Sequence, residues 1–292
     1  MLTVYTIRQL KKLPADARLG VIGNPIAHSK SPQMQQPALD SEKKKVKYVR
    51  LQAGLKTASF HNLLEQLKKH HFIGVNVTVP YKRKAYSIAV KRDKLSELSG
   101  SVNTLVLKKD GWHGFNTDGK GFSKAIQEFS GKPLRNLKVL ILGACGGAGR
   151  ALACQCVIEK CPSLTLVNRP KPQLKRLVNK LKAHTSKPLT YLYFDSPELQ
   201  SAVAQADLIV NATSLGLRKE DPSPISTDWL HAGQMVYDIV THQTNLSLEA
   251  KQKKCISATG ETMLLNQGAY AFKQWFGKLP DTNIMRRGLG LE

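Results

Sequence analysis

Acidic residues are scarce in this chain: 21 Asp and Glu stand against 44 Lys and Arg in 292 residues, a formal net charge of +23. Such an excess has three readings: nucleic-acid binding, a positive field that draws in an anionic substrate and a phosphate-rich cofactor, or lysines carried on solvated faces. The basic residues are spread through 43–47, 82–94, 171–182 and 251–254, without interleaved aromatics or a nucleic-acid motif, which favours the last. Cysteine is also sparse. The five cysteines include no C-x-x-C pair, so neither a disulfide framework nor a zinc site is indicated, and no metal is expected. No apolar run approaches the ~20 residues of a membrane span. The first dozen residues lack the apolar core and cleavage site of a secretory leader, so a soluble, cytoplasmic protein is expected, with no membrane partner.

What is present is ordinary globular material, 41% hydrophobic and 22% charged, long enough for one large domain or two modest ones. From 137 to 239 short apolar runs alternate with helical stretches, the pattern of a parallel, doubly wound sheet. Strands are predicted at 137–142, 163–167, 191–194, 207–210 and 235–238, with a helix from about Arg150. The first hundred residues are also mixed α/β. A strand is predicted near 19–23, a helix with Phe60, Leu63, Leu64 and Leu67 on one stripe, and a strand at 73–80. Lys108-Lys109-Asp110-Gly111 marks a hairpin between 104–107 and 112–115. The predicted architecture is a two-domain α/β fold: an N-terminal substrate domain of 1–117 plus about 257–292, and a Rossmann-like dinucleotide domain of 118–256. A last helix near 263–276 could pack on either domain.

Five segments carry chemistry. Gly143-Ala144-Cys145-Gly146-Gly147-Ala148-Gly149 joins a buried strand to a helix, where free backbone N–H groups and the helix dipole stabilise a pyrophosphate. It departs from G-x-G-x-x-G at Cys145, and a bare tight turn is the competing reading. Where NAD-binding folds place an acidic residue after the next strand, Asn168, Arg169, Lys171 and Lys175 stand instead, a set that suits a 2′-phosphate or merely a solvated helix start. In Val75 to Lys82, period-two alternation sends the valines to one side and Asn76 and Thr78 to the other, and Lys82 joins the polar set if the chain stays extended past Pro80. A polar edge strand with a surface lysine fits that pattern as well. His28-Ser29-Lys30-Ser31-Pro32 is predicted to start a helix, with Ser31 as N-cap and Pro32 at the first position, and Pro37 restricts its continuation. Hydroxyls and free N–H groups there also suit a carboxylate. Asp118, in Asn116-Thr117-Asp118-Gly119, either caps a helix or is the acid partner of Lys82, and spacing does not separate the two.

Together Gly23 to Pro32, Asn76 to Lys82 and Ser101-Val102-Asn103-Thr104 resemble the signatures of the shikimate dehydrogenase family, and the likeness runs from about Val21 to Leu279. The resemblance implies an NADP-dependent oxidoreductase that interconverts 3-dehydroshikimate and shikimate in chorismate and aromatic amino-acid biosynthesis. It implies Lys82 and Asp118 as the catalytic pair. Ser29 and Ser31 would hold the substrate carboxylate, Asn76, Thr78, Asn103 and Gln267 the ring hydroxyls, and Thr241 stands where the family has a substrate-binding tyrosine. The loop residues Gly143, Ala144, Gly146, Gly147 and Ala148 would cradle the dinucleotide, Asn168, Arg169 and Lys171 its phosphate, with Ile239 and Gly260 near the nicotinamide. The chain departs from the family at Cys145, which looks inserted, at Pro170 for a threonine, at Thr241, and at Thr262 for a glycine. Competing expectations are a quinate or dual quinate/shikimate dehydrogenase using NAD, and a catalytically silent ligand- or nucleic-acid-binding protein on the same fold. The expected partner is the small ring acid with no nucleic acid, and the expected state is monomer or homodimer.

Overall fold

A computed structural model describes residues 3–291. Its chain divides into two compact units, Met1–Thr117 with Leu265–Glu292, and Asp118–Leu264. Residues 257–264, which sequence placed in the first unit, cluster with the second, because a strand there joins the second unit's sheet.

The first unit contains, in chain order, β1 (Val4–Thr6), β2 (Ala17–Gly23), α1 (Ser31–Ser41), β3 (Lys47–Gln52), α2 (Thr57–Lys69), β4 (Gly74–Val77), α3 (Lys82–Ile88), β5 (Lys91–Arg92), α4 (Lys94–Ser99), β6 (Thr104–Lys108) and β7 (Gly111–Phe115). The strands form one mixed sheet in the order β1-β3-β2-β4-β6-β7-β5, parallel from β1 to β4 and antiparallel through the β6–β7 hairpin. Gly111 turns that hairpin at φ 126, a backbone state that an L side chain rarely adopts. β4 lies between β2 and β6, so its pattern is that of an interior strand, not of a polar edge. Its four residues are all buried. On one side of the sheet Phe60, Leu63, Leu64 and Leu67 of α2 form the predicted stripe and pack with Leu51, Val75 and Val77. On the other, Met34, Ala38 and Leu39 of α1 pack with Leu19, Val21 and Tyr48.

The second unit contains α5 (Asp118–Ser130), β8 (Lys138–Leu142), α6 (Gly147–Ile158), β9 (Ser163–Asn168), α7 (Pro172–Lys182), β10 (Leu189–Tyr193), α8 (Leu199–Gln205), β11 (Leu208–Asn211), β12 (Met235–Asp238), α9 (Asn245–Gln252) and β13 (Ile256–Thr259). Its six strands are parallel in the order β10-β9-β8-β11-β12-β13, the doubly wound order in which the chain reverses direction across the sheet between β8 and β11. Ligands of such sheets bind beyond the strand carboxyl ends at that switch point. α10 (Glu261–Phe276) starts in this unit and continues into the first, followed by α11 (Thr282–Gly288). The first-unit part of α10 packs by Leu265, Ala269 and Phe272, and its Trp275 indole donates to the Leu105 carbonyl at 3.2 Å.

Pro37 does not end α1, which runs on to Ser41. The ring removes the N–H that would bond the Gln33 carbonyl. Gly288 of α11 lies against that carbonyl so closely that a Cβ would collide with its oxygen.

Candidate active site

All the expected substrate residues of the first unit except Thr78 fall in one hydrogen-bonded series. Ser29 Oγ lies 3.2 Å from Ser31 Oγ and accepts the Ser31 N–H at 3.3 Å. Ser31 is the first helical residue, not the cap; Lys30 holds the N-cap position without a side-chain capping bond, and the loop is closed by Ser29 instead. Tyr48, on β3, donates its hydroxyl to Asn76 Oδ1 at 2.7 Å. Burial pushes that phenol's pKa well up, opposed by a hydrogen bond from the Ser31 side chain. Asn76 Nδ2 reaches Thr104 Oγ1 at 3.1 Å, and Thr104 donates to Asn103 Oδ1 at 3.1 Å. Asn103 then donates to Thr117 Oγ1 at 2.9 Å and to Gln267 Oε1 at 3.4 Å, and accepts the Thr117 N–H at 2.8 Å. Residues from five elements and three loops thus converge, although Asn103 and Gln267 are 164 positions apart.

Lys82 is placed by a turn rather than by an extended strand, contrary to the sequence expectation. β4 ends at Val77, the Tyr81 N–H closes onto the Thr78 carbonyl at 2.9 Å, and Lys82 opens α3. The adjacent Tyr81 is fully buried, stacked on Phe60 with centroids 4.8 Å apart, and donates to the Ala53 carbonyl at 2.7 Å. The Lys82 carbonyl accepts from Val102 N at 2.9 Å. The lysine's backbone is therefore held from both sides while its side chain is half-buried. Thr78, also half-buried, donates its N–H to the Ile22 carbonyl at 2.9 Å.

In the second unit Asp118 is buried and occupies the first position of α5, where the helix dipole favours a carboxylate. Gly143 and Ala144 both donate to the Val167 carbonyl, at 2.8 and 3.1 Å, and Gly146 N closes back on the Gly143 carbonyl at 3.0 Å. This turn accommodates Cys145, whose N–H goes to Asn168 Oδ1 at 3.3 Å. Burial raises the Cys145 thiol, partly offset by Arg150 and Lys171. Gly143 has φ +79, and a Cβ on it would lie 2.8 Å from the backbone of Ala212 and Thr213, just past β11. One on Gly149 would collide with the Gly143 carbonyl. α6 starts one turn earlier than expected, at Gly147, and Gly146 offers its first turn no side-chain cap. The loop thus brings bare backbone to the switch point at Gly143 and Gly149, where no side chain would fit, beside a helix N-terminus that favours an anion: these residues fit a dinucleotide's phosphates.

At the end of β9, Asn168 is buried and its amide is committed to the backbone, donating to the Arg169 carbonyl at 2.9 Å and accepting from Cys145. It shapes the loop rather than presenting a free group. Arg169, Lys171 and Lys175 are exposed, and α7 has no acidic residue in its first turn, an arrangement that leaves that helix start suited to a phosphate. Ile239 is half-buried, and Gly260 packs on it so tightly that a Cβ would collide with its carbonyl oxygen. Thr262 bonds the Tyr237 hydroxyl at 2.9 Å. Thr241 is half-buried. Sequence reading missed Tyr48, Arg50, Thr104 and Thr117, and in the second unit Asp238, which is fully buried and accepts from Asn211, Val240 N and Thr244. Burial raises the Asp238 carboxyl's pKa, and these donors oppose the rise.

Among the described residues no cluster of three or more His, Cys, Asp or Glu could hold a metal ion, and no helix is long and apolar enough to cross a membrane. The family model described as "Shikimate dehydrogenase substrate binding domain" matches residues 21–105, and "Shikimate 5'-dehydrogenase C-terminal domain" matches 260–287. A shikimate dehydrogenase (NADP(+)) of Methanopyrus kandleri is 31% identical over 275 residues, covering 93% of this chain and 94% of that one. The crystal structure of the Thermus thermophilus shikimate 5-dehydrogenase in complex with NADP(H) and shikimate superposes with a TM-score of 0.81 at 32% identity, covering 93% of this chain and 98% of that one. A Listeria monocytogenes shikimate 5-dehydrogenase, solved with shikimate and NAD, gives a TM-score of 0.85 at 27% identity, covering 95% and 98%. With both the substrate-domain signature and the doubly wound nucleotide fold in place, the chain belongs to the shikimate dehydrogenase family.

Proposed function

We propose that this chain catalyses the reversible, NADP-dependent reduction of 3-dehydroshikimate to shikimate, on the path to chorismate and the aromatic amino acids. The observation that carries this reading is the hydrogen-bonded series in the first unit, where the serine pair, Asn76, Asn103 and Gln267 come together across the sequence. Ser29 and Ser31 receive the ring carboxylate, and Thr78, Asn103 and Gln267 face the hydroxyls. Asn76, already bonded to Tyr48 and Thr104, orients its neighbours. Gly143 to Ala148 and Arg169 with Lys171 hold the dinucleotide, and Ile239 with Gly260 borders the nicotinamide end. Bound NADPH supplies the hydride that converts the ring ketone to an alcohol.

The oxygen of that ketone gains negative charge as the carbon is reduced and must take up a proton. Lys82 delivers it, and stabilises the developing alkoxide more than the ground-state carbonyl. Asp118 accepts a hydrogen bond from the hydroxyl in the reverse reaction and aids the lysine. A cytoplasmic location and a monomeric or homodimeric state belong to the same reading.

The test is a set of initial rates of shikimate and quinate oxidation, each with NADP and NAD, on one purified protein. The highest kcat/KM is expected for shikimate with NADP, because Asn168 stands where a carboxylate would select NAD. Higher kcat/KM with quinate or with NAD would favour the quinate reading, and no turnover in any combination would leave a binding protein on this fold.

A further inference from the structure

β3 sends Tyr48 and Arg50 to one side of its sheet, since residues two apart on a strand share a face. Tyr48 fixes Asn76 and Ser31, as above. Arg50 does something comparable for Ser29. Its Nη2 and Nε donate to the Ser29 carbonyl at 2.5 and 3.1 Å, and the side chain is only 5% exposed. Ser29 lies in the irregular stretch between β2 and α1, where neither a helix nor a sheet ladder fixes its peptide. Its other backbone bond, to the Ile26 carbonyl at 3.0 Å, is local to the loop. A planar guanidinium that grips one carbonyl through two donors fixes orientation as well as distance, which a lysine's single ammonium does not. Burying such a cation is costly, and burial lowers its pKa. An apolar residue would fill the space at less cost, so the guanidinium's value lies in what it holds.

We propose that Arg50 is a positioning residue for the substrate's carboxylate: from β3 it locks the Ser29 peptide and thereby aims the Ser29 and Ser31 hydroxyls. This rests on the functional reading above, and the experiment separates the two. Arg50→Met and Arg50→Lys are assayed with shikimate and with its methyl ester, which presents the same ring without the carboxylate, and NADP binding to each variant is followed by fluorescence as a check on folding. For Arg50→Met the shikimate KM is expected to rise roughly tenfold or more, the worth of a hydrogen bond to a charged group, with kcat changed far less. Arg50→Lys should recover part of that loss, and KM for the ester should stay where it is in the wild type. Equal losses on acid and ester, an unchanged shikimate KM, or failure of both variants to fold would overturn the proposal. Absence of shikimate turnover in the wild type would instead overturn the functional reading.

Discussion

Replacing Gly143 by alanine tests whether the β8–α6 turn is shaped for a ligand or only for the fold. Two costs enter. The first is conformational: at φ +79 an alanine is strained by about 1–2 kcal/mol. The second is contact, because the new Cβ would sit 2.8 Å from the Ala212 carbonyl carbon and oxygen and from Thr213 N, all of them backbone atoms that cannot rotate away. Relieving it means parting the ends of β8 and β11 by several tenths of an ångström, with an overpacking cost of about 1–3 kcal/mol. The total, roughly 2–5 kcal/mol, corresponds to a Tm lowered by about 2–4 °C per kcal/mol.

Gly131 separates the two costs. It too has a positive φ, +69, but a Cβ there would meet nothing within 4 Å. Gly131→Ala should therefore show the conformational cost alone and leave NADP binding unchanged. Gly143→Ala should melt lower and also weaken NADP binding severalfold, as the N–H groups proposed to meet the phosphates move with the loop. Calorimetric melts and NADPH fluorescence titrations of the three proteins decide it. If Gly143→Ala bound NADP as the wild type does while melting lower, the turn would be structural only and the cradle argument would fail.

Lys82→Ala should lower kcat about 10²-fold or more with a smaller change in KM, and Asp118→Asn should lower it too, whereas Ser29→Ala and Ser31→Ala should mainly raise KM; steady-state kinetics that reversed this split would exchange the assigned roles. Arg169→Ala should raise KM for NADP far more than for NAD, and equal effects would pass that role to Lys171 and Lys175. Asp238→Asn should destabilise the second unit by about 1–3 kcal/mol in denaturant melts, since the amide N–H₂ replaces one of the two oxygens and cannot accept what that oxygen received, either the Asn211 and Thr244 bonds on Oδ2 or the Val240 bond on Oδ1.

The second unit was the more legible in sequence, for a physical reason. A parallel strand covered on both faces is written as an unbroken apolar run, and that continuity is plain in the buried stretch Val139 to Leu142 before the glycine turn. β3 was missed because Lys47 and Arg50 interrupt its apolar residues, and the cost of burying Arg50 is met by a carbonyl distant in sequence. β1 has only three residues and α11 buries only Met285, too little for a periodic signal. The extended path to Lys82 failed because period-two alternation does not register where a strand ends, and here the Thr78–Tyr81 turn ends it. Tyr48, Thr104 and Thr117 had no local signal: each acquires its meaning from partners that only the sheet brings near.

Of the four positions where the resemblance implies a departure from the family, three lie where the fold absorbs them locally. Cys145 is taken up in a turn closed by Gly146 and the Gly143 carbonyl, with its N–H on Asn168. Pro170 precedes α7, at a place where no helical N–H is lost. Thr262 adds a hydroxyl that finds Tyr237. Nothing in the structure explains Thr241. These changes leave the backbone cradle and the exposed cations before α7 in place, and those two features bear on cofactor choice in different ways. In the proposed function the cradle meets a pyrophosphate common to NAD and NADP and does not discriminate between them. Under that same proposal discrimination falls to the cations after β9, since a 2′-phosphate is the group by which the two cofactors differ and no carboxylate occupies that strand end. Preference for NADP should accordingly weaken as ionic strength rises, because exposed charges are screened, while binding of NAD, which lacks that phosphate, changes less. Titrations of both cofactors between low and high salt measure this, and equal salt slopes for the two would remove the cations after β9 from the choice of cofactor.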